Sequence, residues 1–181
     1  MSLSATIDNV WHVLLGRWRL RRCTTVGRRP RVYGTPRITN LGAITIGDKF
    51  RFFSTTVRSE MVAHSTGRIE IGNGVFVNYG ASFSAHARVS ISDGCQIGSY
   101  ACLMDNDYHG VEDRDLPGES QPIFLGRNVW LGVRVIVLKG VTIGDNAVIG
   151  AGSVVTHDVP ANSLAAGVPA RVIRTFGEGK P

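Results

Sequence analysis

A parallel β-helix is what this sequence predicts, and three observations carry the prediction. Read every sixth residue from Leu125 and the same chemistry returns, at Leu125, Leu131, Val137, Ile143, Ile149 and Val155. Two residues before each stands a second inward candidate (Ile123, Val129, Val135, Val141, Ala147, Ser153), as the two-residue alternation of strand side chains requires. Glycine follows the aliphatic residue directly at Gly126, Gly132, Gly144 and Gly150, where a chain that must turn sharply tolerates it best. A period of six fits neither a 3.6-residue helix nor a hairpin meander. It fits short strands that each form one wall of a coil, with coil stacked on coil.

Taken from the start, the chain first shows Ile7, Val10, Trp11, Leu14, Leu15 and Trp18, one face of an amphipathic helix with arginines at its C-terminal end, where they suit the helix dipole. The plainer expectation is that this face packs over the first coil and covers an open sheet end. The sharper one is a peripheral membrane contact, since basic residues and two tryptophans suit an anionic lipid surface. From about Val32 short extended segments begin. Ile38, Ile44 and Ile46 mark a first irregular coil, Phe52 and Phe53 its next wall, and residues 54–68 keep poor time with room for an excursion. The clock then runs through Ile71, Val77, Phe83 and Val89, slips by two to Ile91, and continues through Ile97 and Leu103. A slip of two keeps the same side chains inward. Residues 104–122 break it with a polar, acidic, proline-containing loop, and a long loop thrown out of a regular solenoid is a place to expect function. After Val155 the repeat decays. The expected organisation is a helix and basic linker over 1–31, the β-helix over 32–176, and a frayed tail over 177–181.

The chain has 181 residues, enough for one domain with a continuous core. Its net charge of +6 is unevenly placed: residues 1–37 hold eight arginines against Asp8 alone, so the repeat body is close to neutral. Three cysteines without a C-x-x-C pairing point to incidental thiols in a reducing compartment. No stretch has the length of an apolar membrane span, nor does the N-terminus read as a signal peptide, so the expected location is cytoplasmic, at most at the inner face of the membrane. The arginines belong to no nucleic-acid module, and no nucleic-acid partner is expected.

The run Ile143-Gly144-Asp145-Asn146-Ala147-Val148-Ile149-Gly150-Ala151-Gly152-Ser153-Val154-Val155, followed by Ala166-Gly167-Val168-Pro169-Ala170-Arg171-Val172-Ile173-Arg174, resembles the hexapeptide-repeat acyltransferases. The resemblance extends from about Ile71 to Arg174. It implies an all-β, left-handed parallel β-helix of triangular section, a homotrimer with active sites between subunits, and acetyl-coenzyme A as cosubstrate with no metal. The usual right-handed crossover preference would have predicted the opposite hand.

Acetyl transfer to a hydroxyl needs a base, and imidazole has a suitable pKa. Of five histidines, His109 lies in the loop and matches the family's catalytic histidine. Its second ring nitrogen wants a carboxylate or carbonyl partner, for which Asp105 and Asp107 are the nearby candidates; the same two carboxylates are candidates for contact with the acceptor. Asn78 aligns with an asparagine lining the acceptor pocket of the sugar acetyltransferases. His86 stands where those enzymes carry a sugar-binding aspartate, which leaves the acceptor open. Trp130 matches a tryptophan beside the pantetheine arm, Gly132, Ala151 and Thr156 match small residues of that groove, and Arg171 and Arg174 match a basic pair that meets the phosphates. His157 replaces a lysine common in relatives.

These matches imply an O-acetyltransferase acting on a hydroxyl of a sugar or surface-glycan precursor. N-acetylation of an amino sugar needs the same residues. A non-catalytic trimeric scaffold would have no use for His109 in an extended loop. A zinc site of the γ-carbonic-anhydrase type, on the same helix, would need two histidines five residues apart, a pair this chain lacks.

Overall fold

In the computed structural model the described residues are 3–110 and 112–177, with the side chains of 3–10 left aside. Each coil of the solenoid contributes one strand to each of three faces. The coils are β1 (Thr25–Val26), β2 (Arg31–Gly34) and β3 (Arg37–Asn40); β4 (Ala43–Ile46), β5 (Arg51–Ser54) and β6 (Glu60–Ala63); β7 (Arg68–Ile71), β8 (Phe76–Val77) and β9 (Ser82–Ala85); β10 (Arg88–Ile91), β11 (Gln96–Ile97) and β12 (Cys102–Met104); β13 (Ile123–Leu125), β14 (Trp130–Leu131) and β15 (Ile136–Val137); and β16 (Thr142–Ile143), β17 (Val148–Ile149) and β18 (Val154–Val155). A seventh turn begins with Val159, bridged to Ile143, and β19 (Ser163–Gly167). The chain then doubles back as β20 (Ala170–Thr175), antiparallel to β19, so the second face has eight strands and the others six.

The six-residue clock appears as register. Leu125 pairs with Ile143, Leu131 with Ile149 and Val137 with Val155, each one coil apart. The six aliphatic residues and their partners two positions earlier are all buried, Ser153 included, whose hydroxyl donates to the Gly150 carbonyl at 2.6 Å. Burying each such aliphatic side chain contributes about 1.5–3 kcal/mol, so the stack is held mainly by this column of branched residues. Asparagine serves the corners between the first and second faces. Asn128, Asn146 and Asn162 hold φ of 55°, 58° and 53°, a left-handed conformation asparagine tolerates, and their amides form a ladder of 3.2 and 2.9 Å from coil to coil.

Two expectations change at the N-terminal end. The first coil starts before Val32, because Thr25 and Val26 already pair with Thr45 and Ile46. The helix α1 (Leu3–Arg19) does pack on the first coil, but of the face the sequence pattern marked Leu15 is half-buried and three residues turn outward. Trp11, Leu14 and Trp18 are 60 %, 57 % and 59 % exposed, while Ile7 and Val10 have side chains outside the described set. The seated side is the opposite one. His12 meets Tyr33 at a tilt with ring centroids 4.8 Å apart, Leu20 just beyond the helix is fully buried, and a Cβ on Gly16 would fall 2.5 Å from the Pro30 carbonyl oxygen. The excursion expected within 54–68 is a short bulge between β5 and β6, closed by Ser59, which donates from its amide to Ser54 Oγ and from its hydroxyl to the Phe53 carbonyl. No helix among the described residues is long and apolar enough to cross a membrane.

Candidate active site

The residues between Met104 and Ile123 are not structureless. They leave the corner after β12 and return as a narrow finger bridged at Asn106–Ser120 and His109–Pro117. Main-chain bonds from Asp107 to Glu119 and from Gly110 to Leu116 close it further. Lys139, from the turn after β15, clamps its base, reaching Asp107 at 2.6 Å and Glu119 at 3.0 Å. The two carboxylates in turn hold the Lys139 ammonium above the usual lysine range.

His109 stands exposed on this finger. Its Nδ1 lies 3.1 Å from the carbonyl oxygen of Arg114. A carbonyl can only accept, so Nδ1 carries the proton, and in the neutral ring Nε2 is left with its lone pair outward. The preceding residue, Tyr108, adopts φ 66°, a conformation costly for an aromatic residue, and its amide is held by the Asn106 side chain. Its phenol reaches Ser84 Oγ at 2.7 Å. Gly118 makes room for this arrangement, since a Cβ there would meet the amide nitrogens of Tyr108 and His109 at 2.5 and 2.7 Å.

Neither predicted carboxylate orients His109. Asp105 is completely buried, and its carboxylate accepts the backbone N–H groups of His86, Ala87 and Arg88 at 2.7, 2.8 and 2.6 Å. It therefore ties the corner of one coil to the next and has no surface for an acceptor, which corrects the expectation of substrate contact. Asp107 is engaged by Lys139. The orienting group is the Arg114 carbonyl, which only the folded finger brings within reach.

Beside the finger, the corner after the third face carries a histidine pair. His64 and His86 occupy equivalent places on successive coils, because Ala63 pairs with Ala85, and their rings stack at 3.6 Å. Tyr108 meets His86 edge-on at 5.2 Å. Burial, and then the neighbouring His64, lower the pKa of His86 from the ordinary imidazole value, against an opposing pull from Asp105. His64 went unnoticed in the sequence as a partner for His86; the signal was there, since both directly follow the end of a third-face strand.

The other predicted residues divide between two corners. Thr156 and His157, joined by a 2.8 Å hydrogen bond, follow β18 at the same third-to-first corner as the histidine pair and the finger. Asn78, Gly132 and Ala151 follow β8, β14 and β17 at the second-to-third corner. Asn78 is half-buried there, its side-chain oxygen accepting the Tyr79 amide at 2.9 Å. Trp130 projects from the second face, 54 % exposed, in register between Gln96 and Val148. Arg171 and Arg174 extend from β20 at the far edge of that face; Arg171 donates to the Ala170 carbonyl and Arg174 lies over Phe176. One chain thus brings His109, His86 and Thr156–His157 to one corner and Asn78, Gly132 and Ala151 to another. The three thiols take no part, and burial pushes Cys23 to about 12 and Cys95 to about 11.

Residues 122–157 match the family model for the bacterial transferase hexapeptide with six repeats. The chain is 42 % identical over 112 residues to galactoside O-acetyltransferase of Escherichia coli K12, covering 61 % of this chain and 55 % of that protein. It superposes on a galactoside acetyltransferase in complex with coenzyme A with a TM-score of 0.66 and 32 % identity, over 88 % of this chain and 68 % of the other. The chain belongs to the hexapeptide-repeat acyltransferase family. It also shares its fold with an N-acyltransferase from Bacillus cereus in complex with dTDP and coenzyme A, at a TM-score of 0.75 and 20 % identity over 90 % of this chain and 89 % of the other, a likeness of fold alone. The chain spans a little over half the length of the curated relatives it matches.

Proposed function

We propose that this acyltransferase moves an acetyl group from acetyl-coenzyme A to a hydroxyl of a sugar or glycan precursor, with His109 as general base. The observation that carries the reading is the Arg114 carbonyl at His109 Nδ1, which leaves Nε2 as the acceptor of a proton. Nε2 takes the proton of the attacking hydroxyl as its oxygen bonds to the thioester carbonyl carbon. When the carbon–sulfur bond breaks, the imidazolium returns that proton to the departing thiolate, so the base is regenerated. A primary amine would be handled by the same steps, and N-acetylation remains the second reading because a coenzyme A-bound N-acyltransferase shares the fold.

The coenzyme fits the residues present. Trp130 offers an exposed ring on the second face, and Arg171 has a guanidinium whose hydrogen bond is to a carbonyl, so its charge is available for phosphate. Gly152 leaves open space where a side chain would stand. The separation of the candidate residues onto two corners supports a homotrimer, in which the Asn78–Gly132–Ala151 corner of one subunit meets the His109 corner of its neighbour.

The test is thiol release from acetyl-coenzyme A with a panel of sugars, amino sugars and glycan precursors, comparing wild type with His109→Gln. Acceptor-dependent release that falls by about 10²–10⁴ in the variant, with coenzyme binding intact, is the expected result. Equal release by both proteins would remove His109 from the mechanism.

A further inference from the structure

The outward stripe of α1 is the feature the acetyl-transfer reading leaves unused. Trp11, Leu14 and Trp18 fall at i, i+3 and i+7, one line along the helix, and each exposes more than half its surface. The opposite side is already spent on the first coil through His12, Gly16 and Leu20. An aromatic–aliphatic line that the body of the protein does not cover needs an occupant.

Its surroundings say which. Beside Trp18 opens a hollow of about 270 Å³ into which five arginines converge: Arg19, Arg21, Arg22, Arg37 and Arg58. None of its lining residues is acidic. Three of these guanidinium groups are held by main-chain carbonyls, Arg19 by Val32, Arg21 by Trp18 and Arg22 by Ile38, so they are positioned without being neutralised. Arg21 also lies over the Trp18 ring at 4.3 Å. Of the acids near these arginines in sequence, Asp8 has a side chain outside the described set, Asp48 pairs with Arg28, and Glu60, in register with Arg37, accepts the Ser82 hydroxyl. A second copy of this chain would bring five more arginines to the same place unless it met the stripe in another orientation. A nucleic acid would satisfy the charge but not the apolar line.

We infer that α1 and this arginine hollow form a docking surface for an anionic lipid bilayer, Trp11, Leu14 and Trp18 entering the headgroup boundary while the arginines meet lipid phosphates. The helix then lies in the plane of the membrane, and the solenoid stands on it through its first coil. This holds whichever acceptor the enzyme uses.

The experiment is flotation of the full chain with vesicles of pure phosphatidylcholine and with vesicles in which a third of the lipid is phosphatidylglycerol, with light scattering of the same samples without lipid. Wild type should float with the anionic vesicles and not with the neutral ones, and release as salt shortens the screening length. Arg21→Gln/Arg37→Gln/Arg58→Gln should weaken binding about a hundredfold, at roughly fivefold per charge. Trp11→Ser/Leu14→Ser/Trp18→Ser should weaken it at least tenfold with an unchanged melting temperature, and the single Trp18→Ser provides the same comparison should the triple variant not fold. Equal flotation of all variants, or no flotation of wild type with anionic lipid, overturns the proposal. So does a stripe variant that floats normally but has a smaller mass in solution, because the stripe would then be an interface between copies.

Discussion

The two halves of the solenoid obey different rules. From Ile123 to Val155 every inward position is filled on schedule, adjacent strands pair one coil apart, and the outer residues that matter are a tryptophan, small groups and backbone. Between Thr25 and Met104 the coils are longer, strands run to four residues, and a histidine pair sits at one corner, where the buried Asp105 and the finger follow. The regular half presents an even outer face from which Trp130 projects. The irregular half holds the stacked His64–His86 pair. Regularity builds the scaffold, and departure from it gathers polar groups at one corner.

Breaking this comparison should be most costly where the irregular half is held together. Asp105→Ala would orphan three buried backbone amides, and at roughly 1–3 kcal/mol for each unsatisfied donor the loss should be on the order of 4 kcal/mol. Denaturant unfolding measures it. A stability within 1 kcal/mol of wild type would mean that water replaces the carboxylate and that the corner does not depend on it. Next in size is Gly118→Ala. It should leave the midpoint of unfolding nearly unchanged but lower kcat about tenfold, a change of about 1.4 kcal/mol in the barrier, because the added methyl displaces the Tyr108–His109 backbone. An unchanged kcat would show that the finger adjusts freely.

The smallest effect sharpens the comparison through pH. His86 has a folded pKa below the ordinary 6.5, from burial and then from His64, so its protonation opposes folding. The stability present above pH 6.5 should fall as the pH drops through that value toward the folded pKa, and His86→Asn should flatten the decline. A melting temperature with the same pH dependence in both proteins would remove the histidine pair as its source. The regular half has no counterpart, and substitutions such as Val148→Thr on its outer surface should leave the profile alone.

How far the sequence could be read follows the same division. Six aliphatic slots in strict time were enough for the β-helix, and the break in that time was enough to mark residues 104–122 as a loop, though not as a bridged finger. Which group orients His109 was not legible, because the Arg114 carbonyl is a backbone atom and every residue has one. Asp105 misled because its partners, the amides at 86–88, become neighbours only after coils stack. The helix misled for another reason: Trp11, Leu14 and Trp18 form a stripe that a pattern assigns to a core, and the pattern does not record which side of a helix the protein has already filled through Gly16 and Leu20.

The finger leaves and rejoins the solenoid without disturbing it: Leu103 pairs with Val137 and Ile97 with Leu131 just as if residues 105–122 were a tight corner. The ends of the finger are anchored by the ladder, and the entropy of closing a loop grows only with the logarithm of its length. The finger that carries His109 is therefore an exchangeable cassette. A finger of different length or composition, inserted between Asp105 and Gln121, would meet the same scaffold without the redesign of a single coil.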